Sequence, residues 1–185
     1  MSNISAAQVK ELREKTGLGL MDCKKALEDA EGNMDKAIEE LRKTSGVKAS
    51  KKSGRSAADG LIAIKNIEDQ IFMIEVNCET DFVARDDSFV EFTSQTLKSY
   101  SENPDKTLQE LMDDGIEDNR EKIVQKLGEN IVVRRVAKTE SSTITGSYLH
   151  SNNKIGCIVS LEGGSHDLAI DIATVSYTHL TLPTI

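Results

Sequence analysis

Glycines divide the first forty-six residues into three helix-length amphipathic segments, and this spacing constrains the fold more than any other feature. Ser5 with Gln8 makes a capping box, and Val9, Leu12 and Thr16 follow at helical spacing. Gly17-Leu18-Gly19 then breaks the helix. A second helix is predicted from Leu20 to about Glu31, with Ala26, Leu27 and Ala30 as its buried stripe and Gly32 as a left-handed cap. Asn33 caps a third, in which Met34, Ala37, Ile38 and Leu41 share a face; Gly46 lies just past its end. Three helices of ~10 residues joined by such short turns predict a compact bundle that is only marginally stable alone. The turn at residues 17–21 is apolar where a polar loop is the norm. Leu18, Leu20 and Met21 either all pack inward or form an exposed knob for a partner, and spacing leaves both open.

Charge changes sign along the chain. Residues 1–56 carry a net +3 and residues 57–185 a net −11, within an overall −8. The break falls in residues 43–55, which hold five basic residues and no acidic one. This stretch is predicted to be a helix end followed by an exposed linker, either a solvated tether or a contact for an acidic partner. The acidic balance argues against a general nucleic-acid binder, and aromatics at 4% with no Trp argue against base-stacking platforms. No apolar run approaches the ~18 residues of a membrane span, and residues 1–10 do not have the pattern of a signal peptide. Cys23, Cys78 and Cys157 are odd in number and far apart, so they read as reduced thiols of a cytoplasmic protein without metal-ligand spacing.

From residue 57 the pattern is mixed. Residues 61–67 and 70–78 are rich in β-branched side chains and flank Glu68-Asp69, predicting a hairpin. Asp86, Asp87 and Ser88 open a helix to about Tyr100, a short helix follows near residues 107–113, and a longer one runs from about Asp118 to Leu127, closed by Gly128. Residues 131–137, 145–149 and 154–161 read as strands, and residues 167–173 start another helix. Antiparallel strands with a helical insertion predict an α+β core with helices on one sheet face.

No catalytic constellation is visible. His150, His166 and His179 lack a metal-spaced partner, and the chain has no nucleophile elbow, dinucleotide fingerprint or phosphate-binding loop. No cofactor and no metal are expected. A hydrolase using His150 with a nearby acid has little support.

Residues 75–85, Glu-Val-Asn-Cys-Glu-Thr-Asp-Phe-Val-Ala-Arg, stand apart. A buried strand is predicted to end at Cys78, and Glu79, Thr80, Asp81, Phe82 and Val83 precede a helix. Asp81 is either a turn cap or a functional carboxylate, and Phe82 either a core plug or an exposed wedge. Its loop position and the pairing of a carboxylate with a large apolar side chain speak for function.

Residues 12–27, Leu-Arg-Glu-Lys-Thr-Gly-Leu-Gly-Leu-Met-Asp-Cys-Lys-Lys-Ala-Leu, resemble the first signature of bacterial-type translation elongation factor Ts, and residues 75–85 resemble the second, with Thr-Asp-Phe-Val at 80–83. The resemblance continues through Gly128-Glu129-Asn130 and Gly146-Ser147-Tyr148-Leu149-His150 and covers about residues 4–173. It implies a ubiquitin-associated-like three-helix domain at 1–45, a basic linker at 46–56, and an α+β dimerisation-type core half-module at 57–174. The implied partner is elongation factor Tu and the implied task is release of its GDP, with no bond made or broken, no direct nucleic-acid contact and no membrane. Thr80, Asp81, Phe82 and Val83 are implied to disturb the partner's Mg²⁺ and phosphate site. Arg13, Leu20 and Met21 match positions implied to touch the partner's nucleotide domain, which favours partial exposure of the apolar turn; Leu127, Gly128 and His150 match contact positions of the core. A ubiquitin-associated-type adaptor is the alternative, supported by residues 1–45 alone.

The end departs from this resemblance. No charged residue occurs from Ile172 to Ile185. Residues 175–185 are expected to be a disordered, unmatched tail left by a truncation or a shifted reading frame, or else the end of a short form that forms a homodimer.

Overall fold

The computed structural model describes residues 4–140 and 143–181. The chain divides into two compact units, Met1–Ser56 with Glu117–Ile131, and Ala57–Ile116 with Val132–Ile185.

The first unit is helical. Helix α1 (Ala6–Thr16) starts at the Ser5 capping box, in which the Ser5 hydroxyl accepts from the Gln8 amide at 3.2 Å and the Gln8 side chain accepts from the Ser5 amide at 3.0 Å. It ends at Gly17, whose φ of +70° suits a residue without Cβ and whose amide donates to Arg13 O at 2.8 Å. Helix α2 (Leu20–Asp29) follows, and α3 (Met34–Lys52) is capped by the Asn33 side chain. Val9, Leu12, Leu18, Cys23, Ala26, Leu27, Ala37 and Leu41 form one buried cluster. Such a cluster supplies most of the stability that short helices lack on their own.

Two elements differ from expectation. Helix α3 runs past Gly46 to Lys52, so residues 46–52 are helix and not an extended linker. Helix α7 (Glu117–Leu127) packs along α3 within this unit instead of remaining in the 57–174 module. The two findings have one cause. Ser45 and Ala49 are buried beneath α7, and a Cβ on Gly46 would come within 3.1 Å of the Glu121 carboxylate. Gly46 serves close helix packing, so its usual role as a terminator is overridden.

The second unit is α+β. Strands β1 (Asp59–Ile67) and β2 (Gln70–Cys78) form an antiparallel hairpin, with Ile67 opposite Gln70. Strand β3 (Val132–Lys138) pairs antiparallel with β2, with a bulge at Glu75 and Val76. Helices α4 (Asp81–Ala84) and α5 (Asp87–Glu102) follow β2, and α5 lays Phe89, Phe92, Leu97 and Tyr100 inward. The Tyr100 and Phe72 rings pack edge to face at a centroid distance of 5.6 Å. Helix α6 (Leu108–Leu111) has its own capping box at Thr107.

Strands β4 (Ile144–Leu149) and β5 (Gly156–Leu161) make a separate two-stranded sheet, so the strands form two sheets where one was expected. Helix α8 (His166–Thr181) covers that hairpin, burying Ala169 and Ala173 and leaving Leu168, Ile172 and Val175 exposed. Its course corrects the expectation of a disordered tail as far as Thr181, since no glycine or proline interrupts the run before Pro183; residues 182–185 lie outside the described residues.

Candidate functional site

Residues 80–83 sit on a single helical turn held between two anchors. Thr80 is its N-cap in extended conformation (φ −130°, ψ 157°), and its hydroxyl accepts from the Val83 amide at 3.4 Å. The Thr80 carbonyl accepts from the Cys78 thiol at 3.1 Å, which ties the cap to the end of β2. On the far side Ala84 is buried, the Asp86 amide donates to Val83 O at 3.0 Å, and the Asp86 carboxylate accepts from the Ser88 amide to start α5.

Helical geometry decides the direction of Phe82. Residues two apart on a helix point about 200° away from each other. With Ala84 turned into the core, Phe82 faces solvent and is 83% exposed. It plugs no core. Asp81 is half-buried, and its carboxylate accepts from the Arg85 guanidinium at 3.1 Å across the one i,i+4 pair of the turn. An exposed pair of this kind contributes little to stability and mainly orients the carboxylate.

His150 lies in the same unit at the turn of the β4–β5 hairpin, half-buried, with its ring inclined at 65° to that of Tyr148 at a centroid distance of 6.4 Å. Its amide donates to Ile155 O at 2.9 Å. Among the described residues no group of three or more His, Cys, Asp and Glu side chains could hold a metal ion, and no helix is long and apolar enough to cross a membrane.

In the first unit the apolar turn splits its side chains. Leu18 is buried, while Leu20 is 53% and Met21 72% exposed. Both inward and outward readings are therefore met in part. Arg13 is exposed in the last turn of α1 and Leu20 opens α2, so the pair flanks the 17–19 turn. Leu127 is half-buried at the end of α7, and exposed Gly128 follows with φ +82° and its amide donating to Val124 O at 3.0 Å. The expected contact residues thus divide between units: Arg13, Leu20, Met21, Leu127 and Gly128 in one, Thr80, Asp81, Phe82, Val83 and His150 in the other.

Sequence reasoning missed a polar network in the first unit. The Asp22 carboxylate accepts from Lys48 Nζ at 3.0 Å and from Gln125 Nε2 at 3.4 Å, and the Ser45 hydroxyl meets Gln125 Oε1. Partial burial pushes the Asp22 carboxyl up, but the hydrogen bonds from Lys48 and Gln125 and the Lys48 charge outweigh it and leave it below the usual carboxylate range. Partners 26 and 103 residues apart leave no local pattern to find.

The arrangement defines a class: an α+β protein that presents exposed apolar side chains on braced turns, among described residues that gather no metal cluster. Comparison with known proteins narrows this. Residues 79–180 match the family model described as Elongation factor TS. The protein named Elongation factor Ts from Marinobacter nauticus is 54% identical over 175 residues, covering 94% of this chain and 60% of the relative. Those from Hahella chejuensis (51% over 175 residues, 94% and 61%) and Francisella tularensis subsp. novicida (45% over 179 residues, 94% and 61%) are similar over the same share. The chain belongs to the elongation factor Ts family. It spans about three-fifths of the length of the curated relatives it matches.

Proposed function

We propose that the chain acts in translation elongation as a guanine-nucleotide exchange factor for elongation factor Tu. The observation that carries this reading is Phe82, fully presented to solvent on a capped turn inside the family's matched region. A large aromatic held out on a capped turn is the type of side chain that anchors an interface.

In this reading the factor makes and breaks no bond and is not an enzyme. It binds nucleotide-free elongation factor Tu better than the GDP-bound form. Linkage then requires GDP to weaken the factor's grip as much as the factor weakens GDP's, at 1.4 kcal/mol per tenfold. Phe82 enters the partner as a wedge, and Asp81 brings a negative charge toward its Mg²⁺ and phosphate site. Displacing the ion's ligands leaves the diphosphate less neutralised, and GDP leaves. Thr80 and Val83 hold the wedge by the N-cap hydrogen bond.

The three helices α1, α2 and α3 are read as a ubiquitin-associated-like domain whose exposed Arg13, Leu20 and Met21 touch the partner's nucleotide domain, with Leu127, Gly128 and His150 as further contacts. Residues 57–116 and 132–174 are read as the core module. The factor works in the cytoplasm, without direct nucleic-acid or membrane contact and without a cofactor.

The test is release of fluorescent GDP from elongation factor Tu. Addition of the chain is expected to speed release and to do so in proportion to its concentration below saturation. A release rate equal to the spontaneous one at saturating chain would sink the reading.

A further inference from the structure

Helix α2 begins under conditions that do not by themselves fix its first turn. Gly19 is its N-cap and supplies no side-chain hydrogen bond, and the turn before it contains two glycines. Glycine lowers the cost of other backbone conformations, so an entry of this composition is loose unless something else holds it. Yet Leu20 and Met21, both exposed, stand on that first turn.

What holds it is the next residue. Asp22 extends its carboxylate toward two other helices, accepting from Lys48 of α3 at 3.0 Å and from Gln125 of α7 at 3.4 Å. Gln125 is 8% exposed and Ser45, whose hydroxyl meets its amide oxygen, is 1% exposed, so the receiving end of the network is rigid. Lys48 is itself half-buried, and its side chain is 35% exposed against 40% for Asp22. A charged pair at this depth, tied to a buried amide, is screened less than a surface pair and is directional. Below the turn Cys23 is buried and its amide donates to Gly19 O at 3.0 Å, so Asp22 and Cys23 clamp the turn from two sides.

We infer that Asp22 is a positioning residue for Leu20 and Met21: Lys48, Gln125 and Ser45 hold its carboxylate, and this fixes the turn on which the exposed pair stands. The inference rests on the reading that this pair touches a partner, and it gives α7 a task that no contact of its own would reveal. Leu20 and Met21 meet the partner in one conformation, so less ordering is left for the moment of binding.

The test has a partner-free arm and a partner arm, both with the full chain. In the first, amide hydrogen exchange is measured for Asp22→Ala, Asp22→Asn and Gln125→Leu. The Cys23 amide, which closes the first turn on Gly19 O, is expected to exchange about fivefold faster or more in Asp22→Ala and in Gln125→Leu, and by less in Asp22→Asn, which keeps one acceptor for Lys48. Amides of Val9 and Leu12 in the same core serve as the internal control, and unchanged rates there show that the fold is retained. Unchanged protection at Cys23 would overturn the inference whatever the partner does.

The second arm measures binding to nucleotide-free elongation factor Tu in a double-mutant cycle. Asp22→Ala is expected to weaken binding about threefold or more in the native background, and not measurably in a chain already carrying Leu20→Ala and Met21→Ala. An equal loss in both backgrounds would mean that Asp22 acts by itself and would overturn its positioning role. If the unaltered chain does not bind elongation factor Tu, the partner reading fails, and the exchange arm alone decides whether Asp22 positions the turn.

Discussion

Phe82 and Asp81 are adjacent but are held differently, and their variants separate stability from function. Phe82 is 83% exposed, so Phe82→Ala removes almost no buried surface and the melting temperature is expected to change little. An aromatic anchor buried at an interface is worth ~2–4 kcal/mol, so stimulated GDP release is expected to fall roughly 30- to 1,000-fold if the whole loss falls on that step. A stability loss of the ~3–5 kcal/mol typical of a buried phenylalanine would contradict the observed exposure. Asp81→Asn keeps shape and removes charge, loosening the Arg85 pair. Its effect on release is expected to depend on Mg²⁺ concentration; the same effect at all Mg²⁺ levels would reduce Asp81 to a partner of Arg85.

Asp59 gives a pH-dependent case. The hydrogen bond from Lys154 Nζ at 2.7 Å, then that from the Gly60 amide at 2.9 Å, hold its carboxyl below the ordinary value of 3.8. A carboxyl depressed in the folded state contributes stability that is complete above its unfolded value and is lost as pH falls through the folded one. Asp59→Asn is therefore expected to destabilise the chain at neutral pH and to flatten the acid limb of its stability curve below about pH 4. An acid limb unchanged in slope and position would remove Asp59 from the acid response.

At the scale of elements, local signals were read where the local sequence decides the outcome. The β1–β2 hairpin was legible because Glu68-Asp69 lies between two β-branched runs, and Ile67 does pair with Gln70 across it. The Ser5 capping box and the inward face of α5 were legible for the same reason. The end of α3 was not, because Gly46 looks like a terminator until Glu121 is brought beside it from seventy-five residues further on. The division into two sheets was equally hidden, since strand pairing is set by register and packing. For the candidate site, the types of residue at 80–83 were legible, whereas the exposure of Phe82 followed only from the burial of Ala84.

Gly146 tests one of these packings. A Cβ there would lie 2.3 Å from the Ala169 carbonyl carbon, so β4 and α8 touch backbone to backbone. Neither side has a flexible end to give way. Gly146→Ala is expected to cost at least the ~1–3 kcal/mol of an overpacked core, read as a lowered denaturant midpoint. An unchanged midpoint would mean that α8 does not seat on β4 this closely.

For the whole molecule, the consequence lies in how the first unit is assembled from two stretches of chain. Its buried cluster, from Val9 to Leu41, draws only on α1, α2, α3 and the turns between them. The later part of α3 depends on α7, since Ser45 meets Gln125 and Arg42 pairs with Asp118; just past the two helices, the Asn130 side-chain amide donates to Arg55 O at 2.8 Å and Ser53 O at 3.3 Å. A fragment of residues 1–56 is therefore expected to keep its cluster but to lose helix beyond about Gly46, where glycine costs ~1 kcal/mol of helix propensity and nothing covers Ala49. Hydrogen exchange on that fragment should show protection through Leu41 and little from Gly46 to Lys52. Adding a peptide of residues 115–131 should restore protection to the second stretch and leave the first as it was. Full protection to Lys52 in the fragment alone would show that α3 holds its length without α7, and that the two stretches are joined without being interdependent.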